Sequence, residues 1–167
     1  MSAPAPKVRA GGKRSAARLG AVQALYQIDM TKGSAELTIA EFIDHRLGKE
    51  IEGEQYNDAD SNWFADVVRG VAARTAEIDA ALDEVLVEEH NKAGRLTPML
   101  RAVLRAGAYE IMVRTDVPPR VVISEYMDVA HAFFSGTEPG LVNGVLDHIA
   151  RRRRADELAA PVVDADR

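Results

Sequence analysis

The chain has 167 residues, 47% of them hydrophobic, and its Gly and Pro residues cluster at breaks, which favours one helical domain over a β-sandwich. It has no cysteine, which excludes a disulfide framework, a thiolate metal site and a cysteine nucleophile. No apolar run approaches the ~18 residues of a membrane span, and no secretory signal is recognisable, so we expect a cytoplasmic protein.

The net charge of −5 hides an uneven distribution of charge along the chain. Residues 1–18 carry five positive charges and no acid, and residues 151–154 carry four more, so the remainder is strongly acidic. A protein that binds polyanions needs its positive charge gathered in one place. Each basic run is therefore either part of a binding surface or a solvated tail.

The first two predicted helices follow a flexible basic arm over residues 1–12, which has no periodicity. Ser15 is predicted to cap the first helix, and Gly33 to take the left-handed position that ends it. Ser34 or Thr38 is predicted to begin the second helix. Apolar residues recur there at helical spacing, which predicts a buried face made of Leu37, Ile39, Phe42, Ile43 and Leu47.

Residues 48–60 are acidic and poorly periodic, which predicts a loop. Asp60 or Ser61 is expected to cap a third helix, on which Trp63 lies in the apolar stripe and is predicted to be a core residue. A fourth helix is predicted over about residues 75–89, followed by a polar connection.

Three further helices are predicted between residues 95 and 150, separated by Asp116-Val117-Pro118-Pro119 and by residues 135–140. In the first of them the apolar stripe leaves Arg101, Arg105 and Tyr109 on the opposite side. The tail from Ala155 is predicted to fray. The sequence therefore predicts an all-α fold of about seven helices.

These helices are predicted to form a single domain over residues 13–154. Short turns favour antiparallel neighbours, so we expect two packed sub-bundles, over about residues 13–90 and 95–154. Residues 155–167 are expected to be a flexible tail.

Enzyme signatures are mostly absent from the sequence. It contains no phosphate-binding loop, no dinucleotide-binding glycine turn and no zinc-protease histidine pair, and its four histidines lack ligand spacing. Asp128 and His131, three residues apart on a polar helix face, are predicted to be an exposed surface pair. We therefore expect no catalytic residue, no metal and no cofactor.

The basic segment at the first helix suggests an external ligand. Lys13, Arg14 and Arg18 lie near a helix N-terminus, where each cation opposes the helix dipole at a cost of a few tenths of a kcal/mol. Arg14 and Arg18 are predicted to project from one side, and phosphate is the obvious partner. Tyr26, two turns on, is either a core-edge tyrosine or a platform on which an unpaired base stacks.

Four segments carry a family resemblance: RSAARLGAVQALYQIDM, LRAVLRAGAYEI, TDVPPRVVISEYMDVAHAF and GLVNGVLDHIA. Together they resemble the NusB family of bacterial transcription antitermination factors over roughly residues 13–150. The resemblance implies an all-helical protein that binds single-stranded boxA RNA in ribosomal RNA leaders and pairs with the ribosomal protein NusE. It would then modify elongating RNA polymerase with other Nus factors, as a monomer or homodimer.

The resemblance also implies particular site residues. The expected RNA-binding positions are Lys13, Arg14, Arg18, Tyr26, Thr137 and Leu141. Leu141 stands where relatives commonly have phenylalanine, which predicts weaker stacking there. The NusE-facing surface is expected at Leu100 and Arg101.

Two alternative functions are open at this point. The chain could be a helical adaptor without RNA contact, or a stand-alone relative of the N-terminal domain of ribosomal RNA cytosine methyltransferases. Since it has neither a cysteine nor a Rossmann motif, methyl transfer would need a separate partner. A helix-turn-helix DNA reader is less favoured, because no helix stands out with exposed Asn, Gln and Arg.

Overall fold

The computed structural model describes residues 12–47, 50–51, 54–55, 60–86 and 92–159. The predicted all-α class is confirmed, with one small hairpin in addition. The elements across these ranges are α1 (Lys13–Thr31), α2 (Ala35–His45), β1 (Glu50–Ile51), β2 (Glu54–Gln55), α3 (Ser61–Ala73), α4 (Thr75–Val85), a 3₁₀ turn (Ala93–Arg95), α5 (Pro98–Val113), α6 (Pro119–Phe133), α7 (Glu138–Arg153) and α8 (Ala155–Ala159).

The stretch predicted as a loop contains the antiparallel hairpin. Glu50 pairs with Gln55 and Ile51 pairs with Glu54, so the loop prediction was wrong for these four residues. The remainder of that stretch up to residue 59 lies outside the described residues, as do residues 1–11 of the predicted arm and the predicted end of the fourth helix.

Two helix starts follow the predicted capping chemistry. The Ser34 side chain accepts a hydrogen bond from the Leu37 N–H at 3.2 Å, and the Asp60 carboxylate accepts one from the Trp63 N–H at 2.9 Å. Each oxygen satisfies one of the N–H groups that a first helical turn leaves without a partner. Ser34 and Asp60 are thus confirmed as N-caps.

The two ends of α1 differ from the prediction. The helix begins at Lys13 after Gly12, and the Ser15 hydroxyl donates to Glu125 at 2.9 Å instead of capping the helix. At the other end Lys32, not Gly33, takes the left-handed conformation, with φ 55. The Lys32 Nζ atom donates a hydrogen bond of 3.2 Å to Asp29.

Helix α5 is the central element of the fold. It packs against α1, α3, α4, α6 and α7, so its polar side is also covered. Arg101, Arg105 and Tyr109, which the sequence placed on the side opposite the apolar stripe, are engaged within the fold. Tyr109 is buried, and the two arginines pair with Asp29 and Asp79 at 2.6 and 2.7 Å.

Buried apolar residues from α1 to α7 form one continuous cluster. Trp63 belongs to it with 3% of its surface exposed, which confirms it as a core residue. Leu37 is 74% exposed, so its predicted place on the buried face of α2 was wrong. The buried face of that helix is carried by Thr38, Ile39 and Phe42, which point towards α1 and α3. The division into two sub-bundles stays a prediction.

The start of the predicted tail is ordered in a way that the sequence did not indicate. Residues 155–159 form α8, and the buried Arg154 beside it donates to the Thr115 carbonyl at 3.2 Å and to Glu157 at 2.6 Å. The hydrogen bonds from Arg154 lower the pKa of Glu157 below its ordinary value. The rest of the tail, residues 160–167, lies outside the described residues. No helix in the described ranges has the length and apolar character needed to cross a membrane.

Two glycines provide a test of the packing between α3 and α5. A Cβ atom at Gly70 would lie 2.3 Å from ring atoms of Tyr109, whereas one at Gly144 of α7 would meet nothing within 4 Å. Gly70→Ala is expected to lower the free energy of unfolding by about 1–3 kcal/mol through overpacking. The control Gly144→Ala is expected to raise it by about 0.5–1 kcal/mol, since alanine favours a helix interior. Urea denaturation measures both, and shifts of the same sign would contradict this packing.

Candidate nucleic-acid interface

The first turn of α1 presents positive charge to solvent. Lys13 is exposed, the Arg14 side chain keeps 36% of its surface exposed, and the turn contains no acid. The Asp60 carboxylate lies 4.0 Å from Arg14 Nε. Because cations at a helix N-terminus oppose the dipole, this arrangement is better suited to an external anion than to helix stability.

The guanidinium of Arg14 rests on an aromatic ring. Its central carbon lies 3.9 Å from the centroid of the Trp63 ring, within cation–π distance. The same ring also carries Arg114, at 4.0 Å, and Arg18 approaches it at 5.4 Å. A nearly buried tryptophan thus supports an arginine at the protein surface.

Arg114 is held in place by carboxylates. Its Nη1 and Nη2 atoms lie 3.0 Å from Asp66 and 3.0 Å from Asp116 respectively. The hydrogen bond with Asp116, and to a lesser extent the one with Asp66, raises the pKa of Arg114. The hydrogen bond from Arg114 lowers the pKa of Asp116. Burial, reinforced by Asp66, raises the pKa of Tyr109 to about 12. Arg114 therefore helps to hold the Trp63 ring in place, since it stacks on the ring and is itself fixed by two carboxylates.

Arg18 does not project beside Arg14 as the sequence predicted. It is fully buried, and its Nε and Nη2 atoms each donate to the Glu110 carboxylate at 2.9 Å. Its Nη1 lies 3.6 Å from Glu125. The four-residue spacing does place Arg14 and Arg18 on one side of α1, but by the second turn α5 and α6 cover that side. A guanidinium without exposed surface is out of reach of a phosphate.

Glu110 is the residue that sequence reasoning missed. It is fully buried on α5, and besides Arg18 it accepts hydrogen bonds from the Tyr126 hydroxyl at 2.5 Å and from Trp63 Nε1 at 3.4 Å. Burial and then the Glu110 charge raise the pKa of Tyr126 well above its ordinary value. We call Arg18, Trp63, Glu110 and Tyr126 the Glu110 network. The available signal was a single acid beside Ile111 within the apolar segment of α5.

Tyr26 lies at the edge of the core. Only 9% of its surface is exposed, and it belongs to the continuous apolar cluster. The sequence left two interpretations of Tyr26 open, a core-edge tyrosine and a stacking platform. This placement agrees with the first. Stacking of a base on Tyr26 stays a prediction.

Thr137 and Leu141 lie at the start of α7. Thr137 is exposed, and Leu141 is half-buried against the core. α7 packs against α4, α5, α6 and α8, whereas α1 packs against α2, α3, α5 and α6. The two groups of predicted RNA-binding residues are thus joined through α5 and α6, and contact of this second group with RNA stays a prediction.

The two residues predicted to face a protein partner are engaged inside the fold. Leu100 is buried, and Arg101 donates to Asp29 at 2.6 Å and to the carbonyls of Ala93, Gly94 and Leu96. Burial alone would raise the pKa of Asp29, but hydrogen bonds from Arg101 and Lys32 outweigh it and lower that pKa. A contact with a partner at Leu100 and Arg101 stays a prediction.

The second basic run is helical and differs from the first. Arg151, Arg152 and Arg153 are exposed in the last turn of α7, where positive charge favours the helix dipole. Arg151 pairs with Asp147 at 2.7 Å, and Arg152 pairs with Glu84 at 3.1 Å. These charges therefore favour the dipole of their own helix, whereas Lys13 and Arg14 oppose the dipole of α1.

Asp128 and His131 are both exposed on α6, as predicted. They line a groove of 1010 Å³ between α6, α7 and α8. Within the described part of the chain, no group of three or more His, Asp or Glu side chains could hold a metal ion.

Comparison with known proteins identifies the family. The model of the NusB family matches residues 15–151. The transcription antitermination protein NusB of Rhodopseudomonas palustris (strain BisB18) is 52% identical over 157 residues, 93% of this chain and 92% of that protein. The protein of the same name from Bradyrhizobium sp. (strain BTAi1 / ATCC BAA-1182) is 51% identical over 150 residues, 90% of this chain and 88% of that protein.

Solved structures share the fold. A structure of T. maritima NusB superposes with a TM-score of 0.73 at 24% identity, covering 96% of this chain and 100% of that chain. A chain from a complex of the antitermination factors NusB and NusE with dsRNA superposes with a TM-score of 0.66 at 22% identity, covering 83% of this chain and 96% of that chain. With the family model matching residues 15–151 and relatives about half identical along most of their length, the chain belongs to the NusB family.

Proposed function

We propose that this chain is a non-enzymatic transcription antitermination factor that binds single-stranded boxA-type leader RNA through the first turn of α1. The observation that carries the proposal is the exposed pair Lys13 and Arg14, placed against the helix dipole in a protein of net charge −5. Relatives named transcription antitermination protein NusB support the antitermination role, and the solved complex of NusB, NusE and dsRNA supports RNA binding in general.

In this proposal the two cations contact RNA phosphates directly. Neutralising each phosphate releases counterions, which makes the affinity sensitive to salt. Tyr26, Thr137 and Leu141 are the proposed contacts to sugars and bases, with Leu141 giving less stacking than an aromatic ring. Arg18 makes no phosphate contact and instead fixes the second turn of α1 to α5 through Glu110.

NusE is the proposed protein partner, bound near the start of α5 around Leu100 and Arg101. A second protein bound beside the RNA adds contacts and so raises the apparent affinity. The complex then acts on elongating RNA polymerase with other Nus factors in the cytoplasm and supports ribosomal RNA transcription. The free protein is a monomer or a homodimer, and a homodimer that covers the first turn of α1 would compete with RNA.

A titration of fluorescent boxA-like RNA at several salt concentrations, with and without NusE, tests the proposal. The double variant Lys13→Ala, Arg14→Ala is expected to flatten the slope of log affinity against log salt by about 1.4, at ~0.7 per phosphate contact on a single strand. The matched control Arg152→Ala, Arg153→Ala removes the same charge from α7 and is expected to change the slope much less.

Three outcomes would count against the proposal. Equal slopes for the two double variants would contradict a site on α1. Tighter binding of a duplex of the same sequence would contradict single-strand recognition. Absence of RNA binding by the unaltered protein, with and without NusE, would favour the helical adaptor.

A further inference from the structure

We infer that Trp63 is a positioning residue for RNA binding: its ring holds the Arg14 guanidinium where a phosphate is bound. This inference rests on the proposed function, and it gives a core residue a second role. It starts from the distance of 3.9 Å between the Arg14 guanidinium carbon and the centroid of the Trp63 ring.

Two contacts restrict Arg14. An arginine at a helix surface samples many rotamers, and fixing one of them on binding costs conformational entropy. Stacking on the indole restricts the plane of the guanidinium, and the Asp60 carboxylate at 4.0 Å restricts its rotation. Arg14 thus enters the complex with part of its entropy already lost, which favours binding.

The ring beneath Arg14 is itself fixed from several sides. Its Nε1 donates to Glu110 at 3.4 Å, and its backbone N–H is held by the Asp60 cap at 2.9 Å. Arg114, clamped by Asp66 and Asp116, lies 4.0 Å from the ring centroid. Since 3% of the Trp63 surface is exposed, the ring cannot swing out with its arginine. The Glu110 network therefore connects the core to the position of one surface charge.

The position of the Arg14 guanidinium and its charge should affect RNA binding in different ways. If Trp63 acts on RNA only through Arg14, changes at the two residues will not add. Replacing the indole with a smaller ring weakens stacking and removes the N–H donor but leaves both basic residues in place. Affinity should then fall while the salt dependence stays unchanged, because the number of phosphate contacts is the same.

A double-mutant cycle on the full chain with the boxA-like RNA tests this. Trp63→Phe is expected to weaken binding about threefold, a cation–π contribution at a partly exposed site, with the salt slope unchanged. Arg14→Ala is expected to weaken it about tenfold and to lower the slope by ~0.7. In the Arg14→Ala background, Trp63→Phe should change affinity by less than about 1.5-fold, since its route to the RNA is gone.

Two further variants keep the test decisive. Arg14→Lys keeps the charge at the surface but lacks the planar group that stacks, so it should weaken binding about threefold at unchanged slope. The control Ile78→Val perturbs a core residue of α4, which packs against α3, α5 and α7, and should lower the melting temperature without changing RNA affinity.

The outcomes distinguish this inference from the proposed function. Additive effects of Trp63→Phe and Arg14→Ala, or binding by Arg14→Lys equal to that of the unaltered protein, would overturn the positioning role while RNA binding stands. If Trp63→Phe does not fold, the Arg14→Lys result decides alone. Failure of the unaltered protein to bind RNA would overturn both.

Discussion

Replacing Glu110 with leucine is expected to lower the free energy of unfolding by about 3–5 kcal/mol, the range for removing one partner of a buried ion pair. The substitution leaves the fully buried Arg18 without its bidentate carboxylate and removes the acceptor of the Tyr126 hydroxyl and of Trp63 Nε1. Glu125, 3.6 Å from Arg18, compensates only in part. Urea unfolding followed by far-ultraviolet circular dichroism measures the loss.

The matched control removes both charges of the pair. Arg18→Leu, Glu110→Leu removes both ions of this pair and is expected to lose less stability than Glu110→Leu alone, because an uncompensated charge costs more than an apolar replacement. If the free energy of unfolding of Glu110→Leu lies within about 0.5 kcal/mol of that of the unaltered protein, Glu110 does not hold the network together. A double variant less stable than the single one would contradict the proposed cause.

Trp63→Ala is expected to cost about 3–5 kcal/mol, the usual loss for deleting a large core aromatic. The ring is almost fully buried on α3, and Arg14 and Arg114 both stack on it. The control Leu37→Ala removes a side chain that is 74% exposed and should stay within about 0.5 kcal/mol of the unaltered protein. Thermal and urea unfolding measure both, and equal losses at Trp63 and Leu37 would contradict their assigned burial.

Local chemistry explains what the sequence predicted well. The caps at Ser34 and Asp60 join a side chain to a backbone N–H three residues on, so the segment alone contains the information. Proline at the first position of α5 is equally local, because its fixed φ and missing N–H suit that site. Apolar spacing likewise placed Trp63 in the core, since a stripe on one helix face must be covered.

Contacts between distant segments explain what the sequence did not predict. Arg18 and Glu110 are 92 positions apart, and helical spacing shows which residues share a side without showing what covers it. The same limit applies to α5, whose polar side is buried by α1 and α4. For the candidate site, the spacing correctly placed Arg14 and Arg18 on one side of α1, but it did not reveal the tryptophan under Arg14, which a separate helix supplies.

The central place of α5 determines how the chain can come apart. Its 16 residues follow the predicted boundary between the sub-bundles, yet they cover α1, α3 and α4 as well as α6 and α7. A fragment ending before α5 would expose the apolar faces of α1 and α3 to water, and a fragment starting at α5 would expose the surface of α5 that α1, α3 and α4 cover. Neither half keeps a closed core, so we expect the described helices to unfold as one cooperative unit.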